Sequence, residues 1–445
     1  MKKLLIAISL VALMGIYSPV SAAKPDKYAL ARAEVLKRGK GYYKDVFMDG
    51  GIALTSKRSL PATEYLGLSL EFFASAKRKE QSKVDTLIQH KILTGSEEDT
   101  NGWLLYPDGA PRYRMIFFNG GLAASHLKSM EPSSRANICN YVAAGGSTMG
   151  TCAGAFMTSK GSYTHGLGVR HGDTYLGLWP DVVYRTELFR ARTAMKLAQE
   201  CPLNRYFDFG TEQVVKDVFH NNGCYAEPDN FKNLPQGVEA LSYYVYPYGE
   251  TVNIDGKASA WAYKAGENSG RLISCGSHPE SVKEGARRDY MTAMMLYAMD
   301  GNAAPQPKGE LKAGEVREMN KRTEDKAPAY TRIGDKQYHH FVVNVPKRTK
   351  NLVVTLEGYE GENNFDLMLC SKREALAYDD NTDYKSEVVG CNKQLAIKRP
   401  KAGKWYVSVH CATTVTTTVG KYGTEYSGRT DVLNGVPYKV SVKFE

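Results

Sequence analysis

The stretch Gly150-Thr151-Cys152-Ala153-Gly154 sets a cysteine between glycines two positions to either side. That spacing suits a sharp strand-to-helix turn, which strains the backbone at the central residue and lifts its side chain clear of a sheet. The chain doubles back on itself in such a turn, so the flanking residues must be small, and Gly150 and Gly154 meet that need. The N–H of Ala153 would then point to where an oxyanion forms when a carbonyl is attacked. A thiol nucleophile also needs a base within hydrogen-bond reach and a group that orients the base. Ser277-His278-Pro279-Glu280 offers both. Residues two apart in an extended segment face the same way, so His278 and Glu280 can lie together, with Pro279 fixing φ between them. The chemistry expected is acyl transfer: Cys152 attacks, His278 carries the proton, and Glu280 orients the imidazole.

These residues need a scaffold that delivers them to one edge. From residue 24 to 302, short apolar runs alternate with helical periodicity, the pattern of a layered α/β sheet. A first strand is expected over 43–51, running into a turn at Gly50-Gly51. Arg114-Met115-Ile116-Phe117-Phe118 reads as a buried strand halted by Asn119-Gly120-Gly121. A helix capped by Ser133 or Ser134 should end at Gly145-Gly146, and 147–151 is then the strand that delivers Cys152. Residues 271–275 form another strand. The last helix should begin at Ser281, which has capping-box spacing to Glu284. Residues 303–330, rich in Lys, Glu, Pro and Gly, read as a linker, with room for a short exposed helix. Beyond it the period changes to two. Strands over 338–345, 351–356, 365–369, 404–410 and 438–444 predict an all-β sandwich across 331–445.

The chain of 445 residues is too long for one core, and its composition is that of a globular protein. Lys2 and Lys3, an apolar run over 4–16 and small residues at 20–23 have the order of a signal peptide, expected as residues 1–22 and implying export. The apolar run is short for a membrane helix, so no stable membrane insertion is expected. The formal charge of +10 falls to +8 without Lys2 and Lys3. The basic residues are scattered, with no stripe and no aromatic platform, which argues against nucleic acid as a partner.

In an oxidising compartment, Cys201 with Cys224, or members of the Cys370, Cys391 and Cys411 group, could form bridges, but spacing does not fix the pairing. Cys139 and Cys275 read as buried and inert.

Residues 142–155, with Gly145-Gly146-Ser147-Thr148-Met149-Gly150-Thr151-Cys152-Ala153-Gly154-Ala155 at their heart, resemble the class I glutamine amidotransferase-like superfamily. The likeness is nearest to the branch named after the N-terminal domain of certain biotin-protein ligases. His278-Pro279-Glu280 and Asn119-Gly120-Gly121 match that superfamily's His-Pro-Glu element and oxyanion turn. The resemblance spans about 42–300. It implies a flavodoxin-like three-layer α/β/α fold with a mostly parallel sheet. It also implies a Cys152-His278-Glu280 triad and oxyanion donors from Gly120, Gly121 and Ala153. One departure is informative: glutamine-hydrolysing members carry Gln four residues after the nucleophile, and Phe156 stands there. Glutamine-dependent amide transfer is therefore not expected, nor biotin ligation without a ligase catalytic region. From about 332 the chain is similar to the bacterial pre-peptidase C-terminal domain, a jelly-roll-like accessory module. That likeness rests on 337–345, 351–369 and Gly403-Lys404-Trp405-Tyr406-Val407, and implies surface or polymer contact.

Other clusters favour structure over chemistry. His165, His171 and Asp173 match no zinc spacing. Asp379, Asp380, Asn381 and Asp383 lack the positions of a calcium loop. Trp179, Tyr206, Phe207, Tyr243 and Tyr244 read as core, and His339-His340 as one buried and one exposed residue of a strand. No cofactor and no metal are expected. The reading is an exported cysteine hydrolase of amide or peptide C–N bonds acting on a small substrate. A secreted peptidase for short peptides and a non-catalytic binding or scaffold protein are the alternatives.

Overall fold

The computed structural model describes residues 26–49, 60–73, 104–130, 132–171, 175–245, 253–361, 365–420 and 424–445. The expected signal peptide, the Gly50-Gly51 turn and Asp173 lie outside them.

Strands β1 (Lys44–Asp49), β2 (Leu70–Phe73), β3 (Tyr113–Phe118) and β4 (Ser147–Thr151) belong to the main sheet. Strands β5 (Gly161–Thr164), β6 (Gly168–His171), β7 (Val183–Arg185) and β10 (Cys224–Tyr225) form a smaller one. Strands β8 (Ala191–Leu197), β9 (Val214–His220), β11 (Val238–Val245), β12 (Ala258–Tyr263) and β13 (Leu272–Cys275) return to the main sheet. Among the described residues its order is β2-β1-β3-β4-β13-β12-β11-β8-β9. The half from β2 to β13 is parallel, and every pairing from β13 to β9 is antiparallel. The sheet is therefore mixed rather than mostly parallel. The reason lies in 191–263, where among the described residues no α-helix stands between successive strands to carry the chain back in parallel.

Side-chain alternation gives the sheet two faces. Val46, Met48, Met115, Phe117, Met149 and Ile273 pack with helix α6 (Gly285–Asp300), with Val35 of α1 (Lys27–Lys37) and with Ala62 of α2 (Pro61–Leu66). Phe47, Ile116 and Phe118 face the other way. There they meet Leu127 of α3 (Ala123–Ser129), Ile138 and Tyr141 of α4 (Pro132–Ala143), and Met157 of α5 (Ala153–Thr158). Helix α6 starts at Gly285 with Glu284 as an N-cap that makes no side-chain cap bond. The Ser281–Glu284 capping box is thus not formed, because those residues lie in the turn before the helix.

The C-terminal part carries two antiparallel four-stranded sheets. One has the order β14 (Val316–Met319), β23 (Tyr438–Phe444), β16 (Asn351–Gly358), β19 (Lys393–Lys398). The other runs β15 (Tyr338–Val345), β20 (Gly403–Cys411), β17 (Leu367–Arg373), β18 (Tyr384–Ser386). A hairpin of β21 (Thr416–Val419) and β22 (Thr424–Ser427) stands beside β2, an end strand of the main sheet. The stretch expected as a linker is instead built into this part. Strand β14 pairs with β23, and Leu311 and Met319 of the segment are buried.

Buried charges join the two parts. Arg112 Nη2 lies 3.1 Å from Asp335 Oδ2, with both side chains almost fully enclosed. Glu71 accepts from Tyr43 and Tyr113 at 2.8 Å each and also from Tyr426 of the hairpin. His339 and His340 are both buried, not alternately exposed. His339 bonds Tyr438 of β23, while His340 bonds Ser408 of β20. All eight cysteines are free thiols.

Candidate active site

Strand β4 is buried along its whole length and ends at Cys152, whose φ of 47° and ψ of −105° no ordinary side chain favours. The strain is held from several directions. The Cys152 N–H donates to the Cys275 carbonyl at the end of β13 (2.9 Å), and the Phe156 N–H closes the first turn of α5 on the Cys152 carbonyl (3.2 Å). A methyl group on Gly150 would stand 2.5 Å from the Gly154 carbonyl carbon, and one on Gly154 would stand 2.2 Å from the Phe118 oxygen. No side chain fits at either position. As the first residue of α5, Ala153 has an N–H with no preceding helical turn to receive it.

His278 reaches the sulfur from the next strand end. Its N–H donates to the Phe219 carbonyl (2.8 Å), and the Phe219 ring lies 5.6 Å from the imidazole. Nδ1 and Glu280 Oε1 are 2.8 Å apart, with Glu280 3% exposed. Since Nδ1 is engaged there, Nε2 is the nitrogen left for Cys152. Burial alone would lower the affinity of His278 for a proton. The Glu280 carboxylate and its hydrogen bond, together with the nearby Cys152 sulfur, outweigh it, and the imidazole is raised to about 10. It is an imidazolium at neutral pH. Cys152 is 5% exposed, and its sulfur lies 3.9 Å from the Asn221 carbonyl.

The Gly120-Gly121 turn closes the site from β3. The imidazole sits so near Gly120 that a Cβ there would be 2.3 Å from Cε1. The Gly120 N–H donates to Asn119 Oδ1 at 3.0 Å, so of the three amides expected as oxyanion donors this one is already engaged. Gly121 has φ 145°, which favours glycine.

One participant was not anticipated. His220 is fully buried, with Nδ1 2.7 Å from Ser277 Oγ and Nε2 2.6 Å from Thr186 Oγ1. Nε2 also accepts the Gly223 N–H at 3.1 Å, which leaves the proton on Nδ1 to donate to Ser277. Burial, and then the His278 charge, lower His220 to about 3, so it stays neutral. Its chain neighbours Phe219 and Asn221 are the residues that touch His278 and Cys152. Thr186, His220 and Ser277 are scattered in sequence, and no spacing could have linked them.

The other candidates take structural places. His165 is exposed in the β5–β6 turn. Lys40 pairs with Asp380 at 2.7 Å and with Asp379 at 3.8 Å, Asn381 accepts from Lys372, and Asp383 accepts the Arg373 N–H. Trp179 packs on Trp261 and Phe231 in the core, where Tyr206, Phe207 and Tyr244 are also buried; Tyr243 is half-buried.

Residues 110–298 match the family model described as the N-terminal region of biotin-protein ligase. The match takes in Gly120, Gly121, Cys152, Ala153, His278 and Glu280. Among solved structures, a glutamine amidotransferase is 14% identical over 56% of this chain and 97% of its own, with a TM-score of 0.33. A periplasmic inhibitor of g-type lysozyme from Aeromonas hydrophila is 16% identical over 24% of this chain and 76% of its own, at a TM-score of 0.16. Such loose overlaps bear on neither fold detail nor function. A search of curated protein sequences finds no match.

Proposed function

We propose that the protein is a cysteine hydrolase that cleaves amide C–N bonds through Cys152, His278 and Glu280. The observation that carries this reading is the strained Cys152 backbone beneath an imidazolium already paired with a buried carboxylate. A positive charge beside the sulfur is the setting that favours a thiolate nucleophile.

In the reaction the sulfur attacks the amide carbon, and the carbonyl electron pair moves to oxygen, held by the Gly121 and Ala153 N–H groups. Collapse of this adduct breaks the C–N bond while Nε2 of His278 gives its proton to the leaving amine. A water then attacks the thioester, passing a proton to the now neutral His278. The second collapse frees a carboxylic acid and returns Cys152 and His278 to their starting state. Glu280 keeps the imidazole in place throughout.

In the finer reading of the scaffold, the α/β part is flavodoxin-like and the C-terminal part is a jelly-roll-like accessory module of the pre-peptidase type, contacting a surface or polymer. Two layers of helices on opposite sheet faces and two facing antiparallel sheets support it. Export rests on the charge and hydropathy order of residues 1–23.

The test is a panel of short peptides and amides incubated with the protein. Turnover with a hydroxylamine-labile acyl adduct on Cys152, both absent in Cys152→Ala, is the expected result. Turnover that survives Cys152→Ala would end the proposal.

A further inference from the structure

Strand β7 ends in Arg185, and its neighbours show which way that residue faces. Val183 belongs to the buried cluster of Ala155, Phe156, Trp179 and Cys224. Arg185, two residues on, shares that face and pairs with Cys224 across β7 and β10. Its guanidinium carbon lies 5.3 Å from the centre of the Phe156 ring. Phe156 is one helical turn beyond Cys152, and a helical side chain leans back toward the N-terminus of its helix, here toward the cysteine. The Cys224 thiol marks the same neighbourhood. Burial pushes it up, the Cys152 sulfur pushes it further, and Arg185 pulls it down. Arg185 and Cys152 therefore flank one buried residue.

The guanidinium is half-buried and unspent. Among the described residues it makes no ion pair and donates no hydrogen bond, and it lies over the Phe156 face. The fully enclosed arginines behave otherwise: Arg112 is taken by Asp335, and Arg114 by the Val35 carbonyl and Asp45. A guanidinium carries five donors in a planar fork that matches a carboxylate, and stacking on an aromatic face holds the fork while leaving its edge open. We propose that Arg185 is the substrate anchor of this site, and that the amide cleaved at Cys152 carries a carboxylate which the guanidinium binds in a bidentate pair. The inference rests on Cys152 being the nucleophile. It adds the substrate class, carboxylate-bearing amides.

Protection of Cys152 from iodoacetamide tests the inference without knowing the substrate. Succinate, glutarate and adipate are compared with the uncharged diamides of the same lengths, and alkylation is read at Cys152 by peptide mass spectrometry. At least one dicarboxylate should protect at concentrations where its diamide does not. Arg185→Met should weaken that protection roughly tenfold or more, the size of a lost charge-assisted hydrogen bond. Arg185→Lys, which keeps the charge but not the fork, should fall between. Dicarboxylates no better than diamides, or protection undiminished in Arg185→Met, would overturn the anchor while leaving the nucleophile untouched. The comparison of dicarboxylate with diamide in the unaltered protein stands even if a variant fails to fold. If Cys152 in the unaltered protein reacts no faster than the thiols of the unfolded chain, the nucleophile assignment itself fails, and the anchor with it.

Discussion

The imidazole of His278 lies directly over the backbone of Gly120, so close that a methyl group on Gly120 would stand 2.3 Å from Cε1 and 2.9 Å from Nδ1. Glycine is required here by contact. Gly120→Ala should push the imidazole out of line with the sulfur. Overpacking of this kind costs about 1–3 kcal/mol of stability, and a misplacement near 1 Å costs roughly a hundredfold in rate. Thermal unfolding and turnover measured together check this; a fully active Gly120→Ala would contradict the geometry.

The charge on His278 sets the pH profile. Raised to about 10, the imidazole carries its proton through the neutral range and can deliver it to the leaving amine. Turnover should hold near neutrality and fall as pH rises through about 10, where that proton is lost. Alkylation of Cys152 needs no acid and should not fall with it. In Glu280→Gln the charge that does most to raise the imidazole is gone, and the falling limb should move toward the ordinary histidine value of about 6.5. A limb that stays in place would show that Glu280 does not act on His278.

His220 is a positioning residue in this account, holding Phe219 and Asn221 where they meet His278 and Cys152. His220→Ala should lower kcat with little change in KM, and orphan the Gly223 N–H and Ser277 at a cost of about 1–3 kcal/mol. His220→Asn can restore part of the hydrogen bonding and should rescue part of kcat. A purely structural role would lower stability in both variants without this split.

How far the site was legible in the sequence follows from where its parts lie along the chain. Gly150, Cys152 and Gly154 announce the turn because its steric demand is local, and His278 and Glu280 are two residues apart on one strand end. The elements around them, β3, α4, β4 and β13, are bounded by Gly pairs and apolar runs that any window along the chain contains. What stayed hidden depends on residues distant in sequence. Thr186 follows β7 of the smaller sheet, whereas His220 ends β9 and Ser277 follows β13 of the main one. The Gly120 N–H turns to the Asn119 side chain, a pairing that spacing does not show. Strand β14 was missed because one face of it, Val316 and Glu318, is exposed, and only pairing with β23 defines it. His339 and His340 broke the expected alternation because residues 339–341 of β15 are buried in succession, on both faces of the strand.

The contact between the two parts should fail in acid. Burial pushes the carboxyls of Asp108 and Glu71 up. Lys308 with His339 in one case, and Lys44 with Arg112 in the other, outweigh it and hold both below their usual range. Such groups bind fewer protons folded than unfolded. Their stabilisation is whole above the ordinary carboxylate values near 4 and is lost as pH falls below them. Urea unfolding at stepped pH should show this loss beginning near pH 4. Arg112→Ala, which strands Asp335 in the interior, should cost about 3–5 kcal/mol at neutral pH. A change within a few tenths would mean the pair is not buried as described.

The account stands on Cys152 and His278 acting as one unit, and site-resolved alkylation measures that most directly. The protein is pulsed with iodoacetamide at neutral pH, and the rate at each of the eight cysteines is read by peptide mass spectrometry. Cys152 should react at least about tenfold faster than any other, since thiolate character governs the rate, and His278→Gln should remove the advantage. A Cys152 that reacts no faster than its seven companions, or just as fast without His278, would contradict the account.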